Sequence, residues 1–216
     1  MLSNLEALSA RHSDYRIAVA PKVAGEVLQH YGVACDEVIQ NEVEVNIDCH
    51  PRARTFRPRV VAITHRDRYG KGVDIVLEAA KMLPEFSFTI VGSVVDGNIP
   101  SNVRAVGEMS HREVQTILRD HDILVSPSRY EGLSLAVLEA LASGAPAVCS
   151  DQAAPPDLEQ CGAGEVVRSD DPKDYIRALV NLAGHLEDAS EGAMNYAREH
   201  DGTRCINRYT ELLMHL

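Results

Sequence analysis

The sequence contains no tryptophan, and aromatic residues fill only 5% of its 216 positions. That scarcity argues against an aromatic platform for carbohydrate or for single-stranded nucleic acid. No apolar run is long enough to span a bilayer. The N-terminal stretch MLSNLEALSARHSDYR carries charge early and has no apolar core, so no signal peptide is expected. The five cysteines, Cys35, Cys49, Cys149, Cys161 and Cys205, are scattered, and no CxxC occurs. Neither a zinc site nor a disulfide framework is indicated, and a reduced cytoplasmic setting is the simplest reading. The absence of GxGxxG and of a Walker A sequence removes the dinucleotide and P-loop readings. There is no internal repeat and no low-complexity segment. The nine histidines show no ligand spacing; His111 and His121 read as polar residues at helix ends. Asp120 and Asp122 form a D-x-D, but they straddle a helix end and a strand start, so no metal is expected.

What is present begins with charge. A net charge of −11 argues against nucleic acid as a partner. It is unevenly spread. Residues 51–72, PRARTFRPRVVAITHRDRYGKG, hold seven basic side chains against the single acid Asp67, a local +6 that leaves −17 for the remainder. A basic island in an acidic chain suits a small anionic ligand better than a long polyanion. Arg52 to Arg59 read as a solvated linker. Arg66 and Lys71 differ, because they follow the buried-looking strand RVVAIT.

From that strand onward the pattern is regular. GVDIVLEAAKML has helical spacing. FSFTIVG and NVRAVG are strands. SHREVQTILRD is a helix with Ser110 and Glu113 as a capping box. DILVSPS is a strand, LSLAVLEALASG a helix ended by Gly144, and APAVCS and GAGEVVRS are strands. PKDYIRALVNLAGHL is a helix, and two more helices close the chain. Strands alternating with helices predict an α/β fold with a doubly wound parallel sheet, Rossmann-like, covered on both faces. Such sheets bind ligands at the carboxyl ends of their strands. Arg66 and Lys71, Gly92, and Glu131 each follow a different strand, so three strand ends point to one crevice.

The richest stretch is Ser126–Val148, SPSRYEGLSLAVLEALASGAPAV, in which seven residues separate Glu131 from Glu139. Gly132 lets a ligand approach the backbone. A helix starting at about Leu133 or Ser134 would aim its free N–H groups into the crevice, an anion site fit for phosphate or diphosphate. Glu139 lies further along the same helix. It is flanked by apolar residues on every side, so the helix is expected to be buried and the carboxylate to need a partner. Two adjacent ribose hydroxyls would serve. Glu131 sits nearer the crevice mouth, where a sugar could hang.

These residues resemble the Glu-seven-residues-Glu signature of retaining glycosyltransferases with the two-domain GT-B fold, especially glycosyltransferase family four. The family usually has Phe and Gly where this chain has Leu133 and Ser134. RVVAITHRDRYGKGVDIVLEAAKML is similar to a second family segment, with His65 in place of its Gly. FSFTIVGSVVDG resembles the strand and glycine loop beside the nucleotide, and NVRAVGEMSHREVQTILRDHDILVSPS and SDQAAPPDLEQCGAGEVV match further segments. The resemblance covers about residues 36–185.

It implies transfer of a sugar from a UDP- or GDP-sugar with retention of configuration and without a metal, and no cofactor beyond that substrate. Arg66 and Lys71 would neutralise the diphosphate, helped by the amides of Gly132, Leu133 and Ser134. Gly92, Ser93, Val106, Gly107 and Met109 would line the nucleotide, with the base near Val106 to Met109. Glu139 would hold the ribose and Glu131 the sugar. No side-chain nucleophile is assigned, because the retaining step is usually pictured as attack on the leaving-group face. The resemblance also implies a division of the chain: residues 1–35 as the end of an N-terminal acceptor domain, 36–58 as linker, 59–200 as the donor-binding half of a GT-B architecture, and 201–216 as a crossover helix. The expected partners are the nucleotide-sugar and the rest of the acceptor domain, a partner chain or a second copy, with at most peripheral membrane contact. A nucleotide-sugar-binding or regulatory module without turnover of its own is the alternative, and a sugar-nucleotide epimerase of similar fold a third reading.

Overall fold

The computed structural model describes residues 2–43, 50–53, 55–64, 67–92, 97 and 99–215. The chain divides into two compact units, Met1–Glu42 with Gly202–Leu216, and Val43–Asp201.

The smaller unit opens with α1 (Leu2–His12), β1 (Ile17–Ala18), α2 (Pro21–Tyr31) and β2 (Glu37–Val38). β1 and β2 pair in parallel. α2 starts on Pro21, whose missing N–H costs nothing in a first turn. It ends on Gly32 at φ 71°, where the N–H returns to the Leu28 carbonyl.

The larger unit runs β3 (Arg59–Ile63), α3 (Val73–Met82), β4 (Ser87–Val91), β5 (Val103–Gly107), α4 (His111–Asp120), β6 (Ile123–Ser126), α5 (Leu135–Ala142), β7 (Ala147–Ser150), β8 (Gly164–Val167), α6 (Pro172–Gly184) and α7 (Leu186–Glu199). The last helix, α8 (Thr203–His215), belongs to the smaller unit. There Arg208 grips the Glu37 carboxylate, with Nη2 2.9 Å from Oε2, while Ile206, Leu213 and Met214 are exposed.

The six-stranded sheet has the order β5-β4-β3-β6-β7-β8 and every pairing is parallel. This is the doubly wound sheet that the alternation predicts. The order reverses between β3 and β6, the switch point of the sheet. All four residues of β6 and of β7 are buried, as expected of strands covered on both faces. α3 buries Val73, Ile75, Val76, Ala79 and Ala80, and α6 buries Tyr175, Ala178, Leu179 and Leu182. These are single stripes at helical spacing, and the two helices pack together on one side of the sheet. α5 and α7 pack against each other.

The segment read as a solvated arginine linker is more firmly tied than expected. Arg57 is exposed. The Arg52 guanidinium, however, donates to the carbonyls of Leu118 (3.1 Å) and Ser143 (2.8 Å), near the ends of α4 and α5. Helix C-termini leave carbonyls without partners, and a cation satisfies them. Arg59 forks onto Asp122, with Nε 3.1 Å and Nη2 2.8 Å from the two carboxylate oxygens, and the Arg59 amide donates to Oδ2 at 2.8 Å. Asp122 of the D-x-D therefore serves as a clasp between β3 and β6. Cys35, Cys149, Cys161 and Cys205 are free thiols; Cys49 lies outside the described residues. Among the described residues, no helix is long and apolar enough to cross a membrane.

Candidate active site

The site lies at the carboxyl ends of the strands, around the switch point. On the β3 side, the loop to α3 is braced from within. The Asp67 side chain accepts from the Gly70 amide at 2.8 Å, and the Lys71 amide donates to the Asp67 carbonyl at 3.1 Å. Gly72, at φ 64°, hands the loop into α3. A Cβ at Gly72 would lie 2.8 Å from Pro127 Cγ and closer still to the Pro127 carbonyl oxygen. Only glycine lets this loop lie so near the one that leaves β6.

Between the two loops runs Arg129. Its amide donates to the Gly70 carbonyl at 2.7 Å, and Nη1 donates to the Tyr69 carbonyl at 2.6 Å. Its guanidinium forks onto Asp74 at 3.0 and 2.9 Å, reaches Asp170 at 3.1 Å, and lies 4.1 Å over the Tyr69 ring. The side chain is only 11% exposed. This strap sets the spacing of the loops that carry Lys71 and Glu131. The Lys71 ammonium is paired with the Glu131 carboxylate, so two residues with separate expected roles are brought into contact. Arg129 was not singled out from sequence. It sits inside the SPSRYEG stretch, but nothing local marks an arginine whose acceptors are 41 to 60 residues away.

Beyond β6, α5 begins at Leu135 with Ser134 as its N-cap, one to two residues later than the sequence suggests. Leu133 and Ser134 are buried, and Gly132 is exposed. The helix's unsatisfied N–H groups therefore start at about Ser134 to Ala136 rather than at Gly132. The Ser134 side chain makes no capping bond. Its carbonyl closes the first turn, accepting from Val137 and Leu138.

Glu139 faces the start of α4. Its Oε1 lies 3.6 Å from His111 Nδ1, and its side chain is 20% exposed. Burial raises the Glu139 carboxyl above the usual carboxylate range, and His111 partly opposes this. α4 opens with the expected capping box of Ser110 and Glu113, immediately after Met109. On the β4–β5 side, the Gly92 amide donates to the Gly107 carbonyl at 2.6 Å. Both glycines have positive φ, 96° and 69°, a conformation glycine adopts without strain. Val106 and Met109 are half-buried. Glu139 thus lies beside the Met109 end of the expected base region. Lys71 and Glu131 form a separate pair. Arg66 and Ser93 lie outside the described residues.

His121 ends α4. Its Nδ1 donates to the Ile117 carbonyl at 2.7 Å, so Nε2 accepts from the Thr89 hydroxyl at 2.8 Å. Burial holds its ring below the ordinary imidazole value. The polar helix-end role expected of it is the one it has.

With this geometry in hand, comparison with known proteins identifies the lineage. Residues 57–185 match the family model for glycosyl transferases group 1. The chain belongs to the group 1 glycosyltransferases. Its larger unit has the Rossmann-like fold of the C-terminal domain in GT-B enzymes. It is 27% identical over 196 residues to MMP α-(1→4)-mannosyltransferase of Mycolicibacterium hassiacum, an alignment covering 83% of this chain and 47% of that protein. It is 30% identical over 134 residues to the amylovoran biosynthesis glycosyltransferase AmsK of Erwinia amylovora, covering 52% of this chain and 33% of that one. The chain spans about half the length of the curated relatives it matches, or less. Among solved structures, sucrose-phosphate synthase from Thermosynechococcus elongatus superposes with a TM-score of 0.82 at 16% identity, covering 99% of this chain and 61% of that one. An Anabaena protein in complex with UDP and glucose superposes at 0.80 with 17% identity, covering 99% of this chain and 67% of that one. At these identities the structural likeness establishes the fold.

Proposed function

We propose that this chain is the donor-binding half of a retaining, metal-independent glycosyltransferase whose substrate is a UDP- or GDP-sugar. The observation that carries this is the arrangement at the switch point. Glu131 and the start of α5 share the loop that leaves β6, Lys71 reaches Glu131 from the neighbouring β3–α3 loop, and Glu139 lies further along α5, near His111 at the start of α4. A nucleotide-sugar needs these groups in this order. Glu139 accepts from the ribose hydroxyls. Lys71, Arg66 and the first free amides of α5 neutralise the diphosphate, and Glu131 accepts from the sugar. Lys71 is then flanked by two anions, phosphate and Glu131, and holds both in register.

The chemistry follows from where charge develops. As the bond from the anomeric carbon to the diphosphate breaks, negative charge grows on the leaving oxygen. Fixed donors aimed at that oxygen stabilise the transition state, each worth roughly 10²–10³ in rate. The acceptor hydroxyl attacks from the leaving-group face, which retains configuration. The names of curated relatives, among them an amylovoran glycosyltransferase and a lipopolysaccharide core mannosyltransferase, favour a hexose donor and a role in polysaccharide assembly.

Calorimetric titration with UDP and with GDP tests this reading. One of the two is expected to bind, and binding is expected to disappear in Glu139→Ala and in Lys71→Ala. No binding of either nucleotide at millimolar concentration would refute it. Binding with no hydrolysis of the matching nucleotide-sugar would make the isolated chain a binding module instead.

A further inference from the structure

A cavity of about 400 Å³ lies at the carboxyl ends of β6, β7 and β8, with Arg129 in its wall. Its volume falls in the range of small-molecule sites. Its walls include Tyr69, Tyr130, Arg129, Arg168, Asp151 and Asp170. Tyr69, Arg129 and Asp170 belong to the strap between the loops, but none of the lining residues is assigned a contact with the nucleotide.

The lining has two unusual properties. First, it collects aromatic surface in a chain that has little. Three Phe and Tyr side chains are exposed among the described residues, Phe56, Tyr69 and Tyr130. Two of them, at 66% and 75% exposure, edge this cavity. Exposed tyrosines offer an apolar face and a polar tip at low entropy cost. Second, its cations are already matched. Arg129 is held by Asp74 and Asp170, and Arg168 lies 2.8 Å from Glu159. With two arginines and two aspartates on its walls, the cavity carries no surplus positive charge for an anion. Hydroxyls and carboxylates on the walls, with ring faces at the edge, suit an uncharged polyhydroxylated ring. One buried hydroxyl feels the charge of this wall. Tyr175 is fully buried and its hydroxyl has no hydrogen-bond partner among the described residues. Burial pushes that hydroxyl above its ordinary value, and Cys149, Asp170 and Asp151 push it further. Two of these three belong to the cavity wall.

We infer that this cavity is a saccharide subsite for a neutral pyranose of the acceptor, with Tyr130 as stacking surface and Asp151 and Asp170 as hydroxyl acceptors. The inference rests on the proposed donor function for its meaning as an acceptor site, since Ser128, Arg129 and Tyr130 run directly into Glu131. It does not need that function in order to bind sugar.

The test uses the ¹⁵N-labelled full chain and amide chemical-shift mapping. Methyl α-D-mannopyranoside, methyl α-D-glucopyranoside and UDP are titrated separately. At least one glycoside is expected to shift the amides of Tyr130, Asp151, Ser169 and Asp170 without UDP present. Tyr130→Ala is expected to weaken that binding roughly fivefold, the scale of one lost aromatic contact, and to leave UDP affinity unchanged. Asp151→Asn should weaken it as well. Glycosides that shift nothing, or that shift only residues around Lys71, Gly92 and Gly107, overturn the inference while leaving the nucleotide reading intact if UDP binds. Equal weakening of UDP by Tyr130→Ala also overturns it, because the cavity would then be part of the nucleotide site. Glycoside shifts at the cavity in a chain that binds neither UDP nor GDP support the subsite and refute the donor function.

Discussion

Replacing Gly72 by alanine tests the packing that holds together the two loops carrying Lys71 and Glu131. Two costs add. The residue sits at φ 64°, and placing an L side chain there costs about 1–2 kcal/mol. The new Cβ would lie 2.8 Å from Pro127 Cγ and 3.0 Å from the Pro127 carbonyl carbon. Backbone carbonyls do not step aside as flexible side chains do, so a further 1–3 kcal/mol is expected from the overpacking. The sum, about 2–5 kcal/mol, lowers the melting temperature by roughly 5–15 °C in a chain of this size. Gly162 supplies a matched control, with the same φ of 64° and nothing within 4 Å of the added Cβ. Gly162→Ala should carry the backbone cost alone, about 1–2 kcal/mol. Thermal unfolding followed by circular dichroism separates the two. Gly72→Ala is also expected to weaken nucleotide binding, since Lys71 must move with the loop. Equal melting temperatures for the two variants would refute the close approach of the loops.

Three further outcomes follow from the same structure. Glu139 is held above its ordinary pKa, so its folded-state contribution is favourable only below the unfolded value and is lost as pH rises through the folded one; Glu139→Gln should therefore melt higher than the parent at neutral pH, with the gap closing on acidification, while losing nucleotide affinity. His121 is held below its ordinary value, so the stability it confers is present at neutral pH and is lost as pH falls through about 6.5, with a slope of at most about 1.4 kcal/mol per pH unit; denaturant unfolding between these conditions should show that slope diminished in His121→Asn. Asp122→Ala removes the acceptor of the Arg59 amide and should cost about 1.5–3 kcal/mol by chemical unfolding, with little added for the guanidinium, since the Arg59 side chain is half exposed and exposed pairs contribute little.

Local patterns carried much of the fold. The mostly apolar tetrads of β6 and β7 and the stripes of α3 and α6 report burial within one element, so alternation alone predicts a covered parallel sheet. The apolar neighbours in LAVLEALA single out Glu139 in the same way, and the structure sets its partly exposed carboxylate beside His111. What was hidden depends on residues distant in sequence. Arg52 reads as linker because its acceptors, the carbonyls of Leu118 and Ser143, are 66 and 91 positions away. Arg129 and the Lys71–Glu131 contact exist only once β3 and β6 lie side by side. The start of α5 lies a residue or two later than propensity suggests, because the good helix former Leu133 is buried ahead of the helix and Ser134 takes the N-cap position. The low aromatic content argued against a carbohydrate platform, yet composition cannot show that Tyr69 and Tyr130 share one cavity.

The central claim is that a nucleoside diphosphate spans the switch point from Glu139 to Lys71. A crystal structure of the chain with UDP or GDP tests it most directly. The account predicts ribose hydroxyls on the Glu139 carboxylate, with the diphosphate between Lys71 Nζ and the first amides of α5 and the base beside Val106 to Met109. A nucleotide bound elsewhere, or one whose ribose faces away from Glu139 while its phosphates avoid Lys71, would contradict it.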